Sequence, residues 1–393
     1  MGKRMTESEG ERIAYEAAKR SREKAFLYWL CRFPGFGAVT VRRIGEALGC
    51  FEAAYYIEGL KLKELGVVKR EEVCRKFNLW KGQFQVIEED YYSLVERGIR
   101  FITPLDQEYP GKLRNIYDYP MGLFVKGELP HSSKPSVSII GARNCTSYGK
   151  LEAEYMGRKL AENGIQVISG LALGIDSAGH EGALRGEGKT FAILGCGVNI
   201  CYPRSNYTLY ERVMAQGGIL SEYYPDQEPY ASNFPVRNRI ISGLSDVILV
   251  IEARKKSGSL ITAELGLEQG REIFALPGRI TDPLSEGCNH LIQNGAGILT
   301  SPDDILDYMG IFYKNKSMLH EKNQKGLAKT EKIVYSCLDS EPRHLEQVAA
   351  ATGLSVSCCM SALLELELGG FAVRTAGQYY IRGSLNDKNE IRD

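Results

Sequence analysis

The sequence predicts an α/β protein. Its Rossmann-like core carries a parallel sheet, a small helical domain of helix–hairpin–helix or SAM-like type precedes that core, and a winged-helix domain follows it. Three observations carry the prediction. From Ser136 onward, short β-branched runs alternate with stretches of helix length, the pattern of a parallel sheet covered on both faces. Two glycine-rich loops, Gly141-Ala-Arg-Asn-Cys-Thr-Ser-Tyr-Gly149 and Ser169-Gly-Leu-Ala-Leu-Gly-Ile-Asp176, each leave an apolar run and open a helix. That sets both loops at the carboxyl edge of the sheet, where α/β proteins bind phosphates. Last, a Lys/Asn-rich stretch from Tyr313 to Lys329 separates the core from a final segment with three helix candidates and a hairpin.

Length and composition agree with this division. A chain of 393 residues exceeds one ordinary core, so two or three domains are expected. It is 44% apolar and 25% charged, and it contains no uninterrupted apolar run near the ~20 residues of a membrane span. Met1 to Arg22 is dense in charge and has no signal-peptide core, which predicts a solvated leader and a cytoplasmic protein. The ten cysteines are scattered, and the close pairs Cys196/Cys201 and Cys358/Cys359 lack zinc-site spacing. Reduced thiols and no metal are expected. Net charge is zero, but residues 136–310 hold 15 Lys+Arg against 20 Asp+Glu, hence −5. A polyanion site on that domain is therefore a focused basic pocket and not a broad basic face.

In chain order, residues 24–100 read as short amphipathic helices. Phe33-Pro-Gly-Phe-Gly37 followed by Val41, Ile44 and Leu48 has the pattern of a helix–hairpin–helix, and Leu62-Lys-Glu-Leu-Gly66 resembles a degenerate second copy. Such hairpin glycines can offer backbone N–H groups to a phosphate, or simply turn the chain between two packed helices. Residues 105–310 form the Rossmann-like domain. Its expected strands are Val137–Ile140, Gln166–Ile168, Thr190–Leu194, Gly218–Leu220, Val247–Ile251 and Ile273–Ala275. Lys150–Asn163, Ser177–Gly186, Ser205–Gln216 and Ser259–Gln269 read as the helices between them, and a polar helix begins at Pro302. Residues 311–329 are the linker and 330–383 the winged helix. There Glu331–Leu338, His344–Thr352 and Ser355–Leu368 are helices, and Gly369 to Ile381 is a hairpin. The third helix carries two acids and no basic residue, which favours a protein contact over groove reading.

A dinucleotide site needs Gly-x-Gly-x-x-Gly after the first strand and an acid ending the second. Here Gly-Ala-Arg follows Ile140, and Ser169-Gly170 ends the second strand, so no nicotinamide or flavin cofactor is expected. The loops offer anion-binding groups instead. Arg143 can fork two hydrogen bonds onto a phosphate, and Ser147 and Tyr148 stand where the next helix starts. Ser169 and Gly170 begin a second nest closed by Gly174, and Asp176 reads as a helix N-cap. Arg204 follows a proline, Arg237 and Arg239 open a helix, and Lys255 and Lys256 follow the fifth strand. Recurrence of these cations at one sheet edge of an acidic domain points to a polyanion pocket. Tyr148, Tyr202 and Phe234 are candidates for base stacking, with core packing the expected use of Phe234. His180, four residues after Asp176, can pair with that carboxylate along the helix. No catalytic constellation stands out.

These runs resemble the DprA/Smf family. Those that carry the resemblance are Gly141-Ala-Arg143 with Ser147-Tyr148-Gly149, Ser169 to Asp176 with His180, Gly195-Cys-Gly197 with Tyr202-Pro203 and Asn206, Phe234-Pro235 with Arg237-Asn238-Arg239, Ser257-Gly258-Ser259 with Thr262, and Pro277-Gly278 with Gly287-Cys-Asn289. The resemblance implies a bacterial cytosolic protein that binds single-stranded DNA in natural transformation, protects it and loads RecA recombinase onto it. It implies a homodimer without covalent chemistry. It carries DNA contact over to Arg143, Arg204, Arg237 and Arg239, with Arg204 standing where the family more often has lysine. The alternative is a nucleotide-cleaving phosphoribohydrolase-like enzyme. That class shows Pro-Gly-Gly-x-Gly-Thr before a glutamate, whereas Ser257 to Glu264 lacks the glycine run.

Overall fold

The computed structural model describes residues 7–311, 328–338, 343–368, 371–374 and 378–382. All but the ends of the expected linker, and the turn of the expected hairpin, lie outside the described residues. Contacts divide the chain into two compact units, Met1–Gly310 and Ile311–Asp393.

The first unit opens with helix α1 (Glu7–Arg32). Residues 15–20 are exposed, but from Ala25 to Leu30 the same helix is buried on every side, as expected of a helix that is hydrophobic all round. Around it pack α2 (Ala38–Leu48), α3 (Ala53–Tyr56), α4 (Gly59–Glu64), α5 (Glu71–Trp80) and α6 (Phe84–Ser93). The Phe33–Gly37 turn buries Phe33 and Phe36 against Phe77. After α4 the chain turns at Gly66, whose φ is +71°, and Val67 N–H returns to the Leu62 carbonyl at 2.9 Å.

The sheet has nine strands. They are β1 (Arg100–Ile102), β2 (Leu123–Gly127), β3 (Ser136–Ile140), β4 (Gln166–Ser169), β5 (Thr190–Ile193), β6 (Gly218–Ser221), β7 (Val247–Val250), β8 (Glu272–Ala275) and β9 (Gly297–Ile298). Their order is β1-β2-β6-β5-β4-β3-β7-β8-β9. The strands from β6 to β9 run parallel, and β1 and β2 are an antiparallel edge. The six expected strands are all present. The three additional ones were not read because β1 and β9 are very short and β2 joins the sheet antiparallel, ahead of the strand–helix alternation.

Between the strands lie α7 (Ser147–Glu162), α8 (Ile175–Arg185), α9 (Tyr207–Gln216), α10 (Asn233–Leu244), α11 (Gly258–Glu268) and α12 (Glu286–Gln293), with α13 (Pro302–Tyr308) last. The chain leaves β3 outward through β4, β5 and β6, then returns to β7 on the other side of β3. The crevice between the ends of β3 and β7 is thus the topological switch point, the ordinary ligand position in such sheets.

The helical segment and the sheet share one core. Tyr28 packs edge-on against Phe101 of β1 and Phe124 of β2, with ring centroids 5.1 and 5.9 Å apart. Burial of these large aromatics makes the first 310 residues one unit.

The second unit has helices Lys329–Ser336, Leu345–Thr352 and Val356–Leu368 and a small antiparallel sheet. Strand Tyr379–Arg382 lies between Arg343–His344 and Ala372–Arg374, around a core that includes Val334, Val348, Leu363 and Leu366. This is the expected winged helix. Its third helix exposes Val356, Met360, Leu364 and Leu368, four residues apart, with Glu365 and Glu367 beside them.

Candidate nucleic-acid interface

A cavity of about 570 Å³ lies at the switch point. The β3–α7 loop supplies Gly141 and Arg143, the turn before α8 supplies Ala172, and the first turn of α8 supplies Asp176. Tyr202 comes from the loop before α9, Phe234, Arg237 and Asn238 from α10, Lys256 and Ser257 from the turn before α11, and Thr262 from α11 itself.

The loops are locked to one another by backbone geometry. Gly174 has φ +77°, and a Cβ there would collide with the carbonyls of Ala142 and Arg143. Ile175 N–H donates to the Ala142 carbonyl at 3.2 Å. Leu171 is fully buried with φ +57°, an uncommon conformation for a non-glycine residue. Asn206 holds it there, donating from Nδ2 to the Leu171 carbonyl and to Ser177 Oγ, both at 2.9 Å. On the other side Glu252, 4% exposed, accepts from Thr146 N–H at 2.8 Å and from the Thr146 hydroxyl at 2.5 Å. Thr146 in turn caps α7 by accepting from Gly149 N–H.

Two arginines meet over one ring. The Arg143 guanidinium lies 5.5 Å from the Phe234 centroid, and that of Arg237 lies 5.9 Å from it. Tyr202 packs beside Phe234 at 5.5 Å. Phe234 is therefore half-buried on the cavity wall and not a core residue. Arg143 is exposed and has no carboxylate partner among the described residues. Arg237 is the opposite case, 4% exposed, with Nη1 donating to the Ile193 carbonyl at 2.6 Å and Nε without a partner among the described residues. Burial pulls its pKa down to about 10, against the attraction of Asp176.

Several expectations need correction. Asp176 is not the N-cap of α8, a place held by Gly174; its carboxylate accepts from Gly170 N–H at 3.0 Å across the loop. Burial raises its pKa, and Arg237 and Gly170 oppose that rise. His180 does not pair with Asp176. Its Nδ1 lies 2.7 Å from the Thr190 hydroxyl, which itself donates to the Val167 carbonyl. Thr190 therefore accepts from Nδ1–H, and Nε2 has no partner among the described residues. Burial, with Arg237 adding to it, depresses the His180 pKa to about 3.

Ser169 is buried and donates to the Ile139 carbonyl, and Gly170 lies behind Arg237. Arg239, two residues along α10 from Arg237, faces the other way. Its Nη2 donates to both carboxylate oxygens of Glu222, at 2.8 and 2.7 Å, and its Nε reaches Asp118 at 3.0 Å. Those carboxylates push its pKa up against the opposing effect of burial. Lys255 lies 4.0 Å from Glu286 in a separate recess. Ser147, Tyr148 and Arg204 are exposed outside the cavity lining. The cavity thus unites Gly141, Arg143, Asp176, Arg237 and Lys256 of the expected residues. Asn206, read in the sequence only as part of a motif, and Glu252, not read there, are positioning residues. No group of three or more metal-ligating side chains occurs among the described residues. No single helix there is long and apolar enough to cross a membrane.

The fold and this cavity define a Rossmann-like protein with an arginine-lined cavity at its switch point and a winged-helix unit. Residues 100–310 match the family model for DNA recombination-mediator protein A, and residues 320–378 match that for the DprA winged helix domain. The chain belongs to the DprA/Smf family. It is 41% identical over 242 residues to DNA processing protein DprA of Streptococcus pneumoniae, covering 62% of this chain and 86% of that protein. It is 32% identical to the Synechocystis protein Smf, covering 90% of this chain and 98% of that one. The X-ray structure of the S. pneumoniae DprA matches at TM-score 0.56 and 38% identity, over 65% of this chain and 92% of that chain.

Proposed function

We propose that this protein binds single-stranded DNA through the switch-point cavity and presents the strand to RecA recombinase, working as a cytoplasmic homodimer without covalent chemistry. One observation carries the proposal: exposed Arg143, without a carboxylate partner among the described residues, lies 5.5 Å from the Phe234 ring in the cavity lining, with Arg237 5.9 Å from the same ring. An unpaired arginine neutralises phosphate, and an aromatic face accepts any unstacked base. A duplex keeps its bases stacked inside and cannot use that ring. The N-terminus of α11, with Ser257 and Gly258 lining the cavity beside Lys256, adds oriented N–H groups.

The apolar stripe on the third helix of the winged unit supports a protein contact there, since groove reading needs polar and basic side chains. The nucleotide-cleaving alternative gains no support: Glu264 is exposed on α11 outside the cavity lining, and Gly170 N–H engages the carboxylate of Asp176. Retardation of a labelled single strand at low salt tests the proposal. The full chain retards it and Arg143→Ala does so weakly; a wild-type protein that leaves the strand free contradicts it.

A further inference from the structure

A second, larger cavity of about 840 Å³ lies between the helical layer and the sheet, and nothing so far assigns it a ligand. Its walls include Phe36 from the turn before α2, Phe101 and Phe124 from β1 and β2, and Tyr223 and Tyr224 from the loop after β6. Its volume is in the range of small-molecule sites. Arg239 lies in the lining with both of its carboxylates, Glu222 and Asp118, so the charge there is already compensated. Such a site suits a neutral planar group better than a phosphate.

The two cavities share a wall. Residues 223–231 line the second cavity with Tyr223, Tyr224 and Gln227, and the first with Pro229 and Ala231. The first turns of α10 alternate between them, with Pro235 and Arg237 facing the first and Val236 and Arg239 the second. The wall is held in place: Arg32 stacks on Tyr224 at 4.1 Å, and the Tyr224 hydroxyl donates to Asp90 at 3.1 Å.

We infer that the second cavity receives a base from the strand that occupies the first, carried over the start of α10. This inference rests on the single-strand reading above. It gives the strand two unlike subsites, one for phosphate with an aromatic face and one for a base alone.

Gly37 offers a direct test. It lines the cavity, has an ordinary φ of −91°, and a Cβ there meets nothing within 4 Å, so the backbone accepts Gly37→Trp and its indole serves to plug the space. The full chain is titrated with oligothymidylates of ~3 and ~20 nucleotides, below and above the ~4–16 nucleotides of a single site. The plug leaves the short oligomer within about twofold of wild type and weakens the long one about tenfold, the scale of one lost stacked base. Val236→Trp, on the half-exposed opposite rim, gives a second plug should the first disturb folding, as judged by thermal unfolding. A long strand bearing 4-thiothymidine then cross-links to Tyr223 or Tyr224 in wild type and not in the plugged proteins. If folded plugged protein binds both lengths as wild type does, the inference is overturned. If wild type itself binds neither length, the single-strand reading falls and takes this inference with it, a distinct result.

Discussion

Arg237 rests directly on Gly170. A Cβ placed on Gly170 would stand 2.8 Å from Cζ of Arg237 and closer still to Nη1. The glycine that ends β4 is thus required by a buried guanidinium on a helix 67 residues later, and the same guanidinium shares a ring with Arg143.

Gly170→Ala should therefore act at a distance. It displaces Arg237 from the Ile193 carbonyl and costs about 1–3 kcal/mol, the scale of an overpacked core. Urea unfolding measures the loss. Single-strand affinity falls with it, because the displaced guanidinium enters the cavity it now backs. Unchanged stability would contradict the collision.

Arg239→Met separates structure from binding. It leaves Glu222 and Asp118 without their cation, and because both are partly exposed the cost falls below that of a fully buried pair, to about 1–3 kcal/mol. The salt dependence of DNA binding stays as in wild type. A salt slope reduced by about one would show instead that Arg239 neutralises a phosphate.

His180 gives a pH signature. The folded protein holds it neutral, with a pKa near 3, while the unfolded chain takes its proton near the ordinary 6.5. Its contribution is complete above about pH 6.5 and is lost as pH falls towards 3, at about 1.4 kcal/mol per pH unit. His180→Gln removes this part of the slope. Urea midpoints of both proteins at pH 7 and pH 5 check it, and parallel losses in the two would contradict the buried neutral imidazole.

The core was readable because its strands are β-branched and bounded by glycine, and because each phosphate-type loop announces itself by spacing. Side-chain direction was not. Arg237 and Arg239 are equivalent in the sequence, yet two residues on a helix turn about 200°, so one enters the cavity and the other an ion pair with Glu222. His180 and Asp176 have the spacing of a helical pair, but burial gave each a partner from another element. The union of the helical layer with the sheet depends on Tyr28 meeting Phe101 and Phe124, long-range contacts that no local pattern encodes.

The central claim is that Arg143 grips a single strand at the switch point. Fluorescence anisotropy of a labelled ~30-nucleotide DNA, single-stranded and duplex, across a salt series tests it most directly. The account predicts tighter binding of the single strand, weakening with salt, and a slope smaller by about one in Arg143→Ala. Equal binding of both DNA forms, with the same slope in the variant, would contradict it.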